Sequence, residues 1–284
     1  MRFLHCSDVH VIGDYHTPSI RRLGWRRIPA LAELRLRGRG RVFAHSPETI
    51  RTIVADFDRH RADHLIVSGD LTGYALEEEF DGALAALSPL AADPRRCTVI
   101  PGNHDTYTPG AIADRRFERR FGHLLHSDLP EHTREGPFPF VRLLDDGAAV
   151  VGLLSARVPL VPGFSFGVIG ERQLEGLRAV ISDPQVKDRA VLVVVHHAPL
   201  AQNGKADKPL HGLVDAKKLF EIVHGPKFAV LHGHIHHRFH HPANPQRPHV
   251  FGAGSSTQQG REGYWLIDVR DGKFVGSEMR RPGV

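Results

Sequence analysis

Residues 97–105 read Cys-Thr-Val-Ile-Pro-Gly-Asn-His-Asp: an apolar, strand-like run, a glycine, then three side chains of the kinds that hold cations or move protons. The same design recurs along the chain. Arg2–Ser7 runs into Ser7-Asp8-Val9-His10, and His64–Ser68 into Gly69-Asp70. Ala190–Val195 runs into His196-His197, and Phe228–Leu231 into Gly233-His234-Ile235-His236. In open α/β sheets the functional site lies at the carboxyl ends of the strands, so loops leaving different strands converge there. Asp8 and His10 are two apart, which in extended chain projects both to one side. The glycines permit sharp departures from the strands. The candidate ligands comprise two Asp, one Asn and four His, with no Cys. That exceeds one octahedral ion and suits two ions sharing a carboxylate. A set of hard oxygens and imidazoles without thiolate fits Mn, Fe or Zn chemistry rather than a structural zinc finger.

Working outward, further strands are expected at Phe140–Leu144, Ala149–Leu154, His249–Gly252, Tyr264–Val269 and Lys273–Met279. Ser46-Pro47-Glu48 reads as an N-cap, a proline at the first helical position and an acid in the first turn. It opens a helix to about His60 with Ile50, Ile53, Val54 and Phe57 on one face. Other helices are expected at Leu76–Leu87, Ala111–Phe121, Glu171–Ile181 and Asp215–Val223. Helices alternate with strands and then mostly strands follow, which predicts an α/β protein with antiparallel pairing near its C-terminal end. Residues 1–284 read as a single domain.

Composition narrows the class. Of 284 residues, 41% are hydrophobic and 24% charged, ordinary globular usage that excludes disordered and fibrous chains. No apolar run approaches the ~18 residues of a membrane span. The opening MRFLHCSD has one arginine and a short apolar stretch broken by His5, so no secretory signal is expected. The two cysteines, Cys6 and Cys97, lie in strand-like runs and read as buried free thiols of a reducing cytoplasm. The 21 histidines are the unusual feature. Of those near the motifs, His197, His232, His237, His240 and His241 read as supporting or surface groups.

Arg21 to Arg41 stands apart, with eight arginines against one acid, Glu33, in a chain whose net charge is +5. Leu23, Trp25, Ile28, Leu31, Leu34 and Leu36 are interleaved, so the segment reads as an amphipathic insertion at about 18–45. It packs on the body, or places guanidinium groups near a polyanionic substrate, or makes a peripheral contact with an anionic membrane. Nucleic acid is not the expected partner, because no nucleic-acid module is present.

In order and context the clusters resemble the calcineurin-like metallophosphoesterase superfamily, whose pattern runs D-x-H, G-D, G-N-H-D/E, H, G-H-x-H. The resemblance extends to His5-Cys6-Ser7-Asp8, to Gly170 through Leu177 before a helix, and to Leu231-His232-Gly233. It implies a four-layer α/β/β/α sandwich with two mixed β-sheets and two metal ions at one edge. Carried over, one ion takes Asp8, His10 and His236, and the other Asn103, His196 and His234. Asp70 bridges them together with a water or hydroxide. His104 matches the histidine that serves the phosphoryl or leaving-group oxygen, with Asp105 as its orienting partner. Gly69-Asp70-Leu71-Thr72-Gly73 lacks the continuation of the Ser/Thr phosphoprotein phosphatases. His104 stands where the lipid A pyrophosphatases usually carry arginine. The Gly-Asn-His-Asp and His-His-x-Pro motifs look most like the bacterial class III cyclic-nucleotide phosphodiesterase and glycerophosphodiesterase group. The resemblance thus implies a dinuclear hydrolase of phosphate esters, diesters foremost. It would use Mn²⁺ or Fe, with Zn²⁺ as a further candidate, on a small-molecule or lipid phosphoester in the cytoplasm or at a membrane surface. The competing expectation is a non-catalytic scaffold of the same fold.

Overall fold

The computed structural model describes residues 1–13, 39–145, 147–158, 165–208 and 210–284. The first sheet begins with β1 (Arg2–Cys6), which pairs in parallel with β2 (His64–Val67), itself parallel to β3 (Cys97–Val99). The second contains β4 (Phe140–Leu144), β5 (Ala148–Gly152), β6 (Ala190–Val194), β7 (Phe228–His232), β8 (Arg238–His241) and β9 (His249–Ala253). Two C-terminal strands, β10 (Tyr264–Arg270) and β11 (Lys273–Arg280), return to the first sheet. The sheet orders are β11-β10-β1-β2-β3 and β4-β5-β6-β7-β9-β8. Both sheets are mixed: β5-β6-β7-β9 run parallel, while β4, β8, β10 and β11 pair antiparallel with their neighbours.

Alternation along the strands sets the layers, because successive side chains of a strand point to opposite faces. In β6, Ala190, Leu192 and Val194 join the apolar cluster shared with β1, β2 and β3, whereas Val191 and Val193, with Val195 just past the strand, join a second cluster. That second cluster holds Leu174, Leu177 and Val180 of α6 (Glu171–Ser182) and Leu219 of α7 (Ala216–Ile222). Over the first sheet lie α2 (Ser46–Arg59), which buries Ile50, Ile53 and Phe57, and α3 (Glu77–Leu87), which buries Phe80, Ala83, Ala86 and Leu87. Burying each such large side chain stabilises by about 1.5–3 kcal/mol. Helices, sheet, sheet, helices: the expected four-layer α/β/β/α arrangement is the one observed.

The differences are local. Strand β8, within a polar and histidine-rich stretch, was not expected; it forms because Phe239 packs inward while its backbone pairs with β9. The helix expected at 111–121 is two helices, α4 (Pro109–Ala113) and α5 (Arg116–Phe121), divided at Arg115, whose φ is +51°. Ser46 is not the cap of α2 but its first residue, and its hydroxyl bonds Thr257 Oγ1 at 3.0 Å. Of the arginine-rich stretch, residues 21–38 lie outside the described residues; Arg39–Val42 forms a short helical turn, α1. Cys6 and Cys97 are buried and unpaired, and burial pushes the Cys6 thiol up to about 12. Among the described residues no helix is long and apolar enough to cross a membrane.

Candidate metal centre

Because β1, β2 and β3 are parallel, as are β6 and β7, the five polar clusters leave their sheets in common directions. The two sheets meet there: the His234 amide donates to both oxygens of Asp8, at 3.1 and 2.9 Å, and His196 Nδ1 donates to the Ser68 carbonyl at 2.8 Å. The chain turns through left-handed backbone at Asp8 (φ 50°), His10 (φ 41°), Asp70 (φ 54°), His234 (φ 73°) and His236 (φ 51°). This corrects the expectation for Asp8 and His10, which converge through a turn and not through the alternation of an extended strand. Asp and His enter this region more readily than branched residues do, yet such strain costs about 1–3 kcal/mol per residue. A ladder of amides holds it: Asp8 N to Gly69 O at 3.0 Å, His10 N to Asp70 O at 3.0 Å and Val11 N to Leu71 O at 2.8 Å.

The seven expected ligands come together in two groups. In the first, Asp8 Oδ1 lies 3.2 Å from His236 Nε2 and 3.9 Å from His10 Nε2, and the two Nε2 atoms are 3.2 Å apart. In the second, Asn103 Oδ1 lies 3.0 Å from both His196 Nε2 and His234 Nδ1. Asp70 stands between the groups, its Oδ2 3.4 Å from His196 Nε2 and 3.9 Å from His10 Nε2.

On its outer side each ring is bonded to an acceptor. His10 Nδ1 donates to the Thr72 carbonyl at 3.2 Å, His234 Nε2 to the His211 carbonyl at 2.9 Å and His236 Nδ1 to Gln258 Oε1 at 3.4 Å, alongside His196 on Ser68. A neutral imidazole carries one N–H, so with that proton engaged outside, the inner nitrogen is a lone pair. Four lone pairs thus face each other and the oxygens of Asp8, Asp70 and Asn103, which is repulsive unless positive charge lies among them. Ligands held about 2.0–2.2 Å from one ion at right or tetrahedral angles lie roughly 3.0–3.5 Å from each other. Most of the measured separations fall in that interval, and the residues present fit a pair of cations.

Electrostatics point the same way. Burial alone would raise Asp70, but His196, His104 and His10 around it hold its carboxyl well below the usual range. Burial opposes charge on His196, yet Asp70 and the contact with it raise that ring to about 9, so with no cation present a proton on its Nε2 supplies part of the positive charge that the facing lone pairs and oxygens require. His234 is pushed well below the ordinary imidazole value by burial and by the neighbouring His197, His196 and His211. Asp70 draws positive charge to the centre, while His234 is kept neutral, the form in which imidazole binds metal.

His104 stands beside the first group, its ring 4.9 Å from that of His10 and stacked on Tyr107. Its Nδ1 donates to the Gly73 carbonyl at 2.5 Å, and its amide donates to Asp70 Oδ1 at 2.8 Å. Asp105 takes a different place from the one expected. Its oxygens accept the amides of Leu71, Thr72 and Gly102 and the Thr72 hydroxyl, at 2.8–3.1 Å. It therefore ties the Asp70 loop to the Asn103 loop, and the group that orients His104 is the Gly73 carbonyl. Burial and the charge of Asp70 push the Asp105 carboxyl up to about 7.

Sequence reasoning missed the supports. Ser255 Oγ donates to the Asp8 carbonyl at 2.8 Å, Thr257 Oγ1 to that of Val9 at 2.6 Å, and Ser256 Oγ accepts the Ser7 amide at 3.0 Å. A run of small hydroxylated residues just after a strand is the one signal that marks them. Glycine 102 and glycine 233 serve close approach: a Cβ on Gly102 would overlap the Asp70 carboxylate, and one on Gly233 would overlap Ser7 and Asp8. His197, adjacent to the chosen ligand, turns instead to Ser155, with Nδ1 2.8 Å from its hydroxyl.

Comparison with known proteins follows the same lines. The model of the family described as "Calcineurin-like phosphoesterase" matches residues 1–238. Over 182 residues the chain is 30% identical to a Rhodococcus erythropolis protein named probable cyclic nucleotide phosphodiesterase. The match covers 62% of this chain and 52% of the relative, about half its length. Among solved structures, a dimetal phosphatase from Danio rerio superposes with a TM-score of 0.62 at 15% identity, covering 99% of each chain. The protein TT1561 of Thermus thermophilus gives 0.55 at 14% identity over 99% of this chain and 98% of its own. At such identities the structural likeness is one of fold.

Proposed function

The chain belongs to the calcineurin-like phosphoesterase family, and from that premise we propose that it is a dinuclear metal-dependent hydrolase of phosphate esters, acting on a phosphodiester. Asp8, His10 and His236 would hold one cation, Asn103, His196 and His234 the other, and Asp70 both. The observation that carries this reading is the facing of four histidine lone pairs and three side-chain oxygens, with every outer ring nitrogen bonded away. Bound there, a pair of cations supplies an activated water and a clamp on phosphoryl oxygens for displacement in line at phosphorus. The donors are oxygen and nitrogen only, which favours Mn²⁺ or Fe, with Zn²⁺ as an alternative.

The chain's own contribution is to hold and to protonate. The Gly73 carbonyl holds the Nδ1–H of His104, so in the protonated ring Nε2–H is the donor that meets the phosphoryl or leaving-group oxygen and can pass its proton there. Asp105 keeps the loops of Asp70 and Asn103 at their spacing without touching substrate. The preference for a diester draws on the Rhodococcus relative, named as a probable phosphodiesterase. The whole chain would serve as one domain in the cytoplasm, with the arginine-rich stretch at about 18–45 an insertion.

The test is metal analysis of the purified protein together with a screen of phosphate mono- and diesters. Two ions per chain and turnover of at least one diester are expected. A fully metal-loaded protein inert across the panel would instead favour a scaffold that binds metal without using it.

A further inference from the structure

The second group of expected ligands is bordered by a pocket that no motif announced. Its volume is about 550 Å³, within the range of small-molecule sites. Its polar lining is Gln202, Asn203, Asp207, Lys208, His211 and His237, and Ile235, between two expected ligands, forms part of its wall. His211 joins pocket and centre. Its carbonyl accepts Nε2–H of His234, and its ring centroid lies 4.4 Å from that of His234. Its Nδ1 donates to Asp207 Oδ2 at 2.6 Å, and the other oxygen of Asp207 accepts the Lys208 amide at 2.8 Å.

The wall is a built structure. The Ala201 amide donates to the Lys205 carbonyl at 2.8 Å, Gly204 to Ala201 at 2.9 Å and Leu213 to Ala198 at 3.0 Å, while His241 Nε2 reaches the Ala201 carbonyl at 3.3 Å. With Nδ1 held by Asp207, the edge of the His211 ring bearing Nε2 is set, and the side chain remains 39% exposed. We propose that this pocket is the subsite for the arm of the substrate beyond the phosphorus, with His211 its specificity-determining contact and Asp207 the residue that positions His211. The arm is polar and water-soluble. Amides that both donate and accept, an ammonium and an imidazole pair with hydroxyl and amine groups, whereas an alkyl chain would strip them of water at about 1–3 kcal/mol for each group left unpaired. An apolar groove lined by Pro199, Leu200, Ala206 and Phe220 lies nearby and shares no lining residue with this pocket. It is the place an alkyl arm would need.

The proposal rests on the hydrolase reading, and its test separates the two. Binding of inorganic phosphate, adenosine 5′-monophosphate and hexadecyl phosphate to the manganese-loaded protein is measured by calorimetry. Wild type, His211→Ala and Gln202→Ala are compared, with metal content determined for each. The His211 carbonyl that holds His234 is present in every variant. The ratio of nucleotide to phosphate affinity is expected to fall at least tenfold in His211→Ala and by a smaller factor in Gln202→Ala. His211→Gln, which keeps a polar tip, should recover part of the loss. An unchanged ratio in His211→Ala, with metal retained, would overturn the subsite alone, as would hexadecyl phosphate outbinding the nucleotide in wild type. Wild type that binds no phosphate and hydrolyses no ester would overturn the hydrolase reading and this one with it.

Discussion

His64, at the start of β2, has both ring nitrogens bonded, Nδ1 to the Arg95 carbonyl and Nε2 to Thr98 Oγ1, each at 2.8 Å. Burial lowers it to about 4, against an ordinary value of 6.5. A histidine depressed in the fold stabilises fully above pH 6.5, and that contribution is lost as pH falls toward 4. The loss amounts to roughly 2 kcal/mol by pH 5. Urea midpoints measured from pH 7 to pH 5 should fall, and His64→Asn should flatten the slope; an equal slope in the variant would refute the assignment. His104 makes a different kind of claim. Removing its ring in His104→Ala should cost about 10²–10⁴ in turnover with bound metal retained, since a group that moves a proton contributes on that order. Loss of metal together with activity would reassign it to the ligand set. The identity of His104 was legible because it sits inside Gly-Asn-His-Asp. Its partner was not, because Gly73 is 31 positions away and contributes only a carbonyl.

Loops and helices carry the next claims. Gly233→Ala would place a methyl group against Ser7 and the Asp8 carboxylate. Metal affinity should drop about 10–100-fold, the usual effect of disturbing groups that orient ligands, while the circular dichroism of the fold persists. Unaltered metal affinity would show that the approach of the two loops is not needed. Leu177 in α6 is fully buried against the second sheet, and Leu177→Ala should cost about 2–5 kcal/mol in denaturant unfolding. Ten strands were readable from apolar runs bounded by glycine and polar clusters. Strand β8 was not, since Arg238-Phe239-His240-His241 has the composition of a loop and becomes a strand only by pairing with β9. The division of α4 from α5 at Arg115 was equally hidden, because nothing in its side chain requires a positive φ.

Taken together, the proposed centre clamps the two sheets. Asp8, His10, Asp70 and Asn103 follow strands of one, and His196, His234 and His236 follow strands of the other. A cation that binds the folded chain and not the unfolded one stabilises by mass action, about 2.7 kcal/mol at a hundred times its dissociation constant. Chelation should therefore lower the unfolding temperature by roughly 5–10 °C for a chain of this size. Calorimetric traces that coincide with and without chelator would mean that the clamp contributes nothing.

By itself the sequence determined the strand–cluster repetition, the seven expected ligands and, through their order, the family and its layered fold. Those properties are local: a side chain's chemistry and the periodicity around it are written in adjacent positions. Only the folded chain decided which nitrogen of each histidine faces inward, that Asp105 binds three amides, and that 255–257 and His211 support the centre. Apart from the Gly102 amide, three positions from Asp105, these depend on backbone and side-chain groups brought from about 20 to 250 positions away, where nothing in the residue type records the partner.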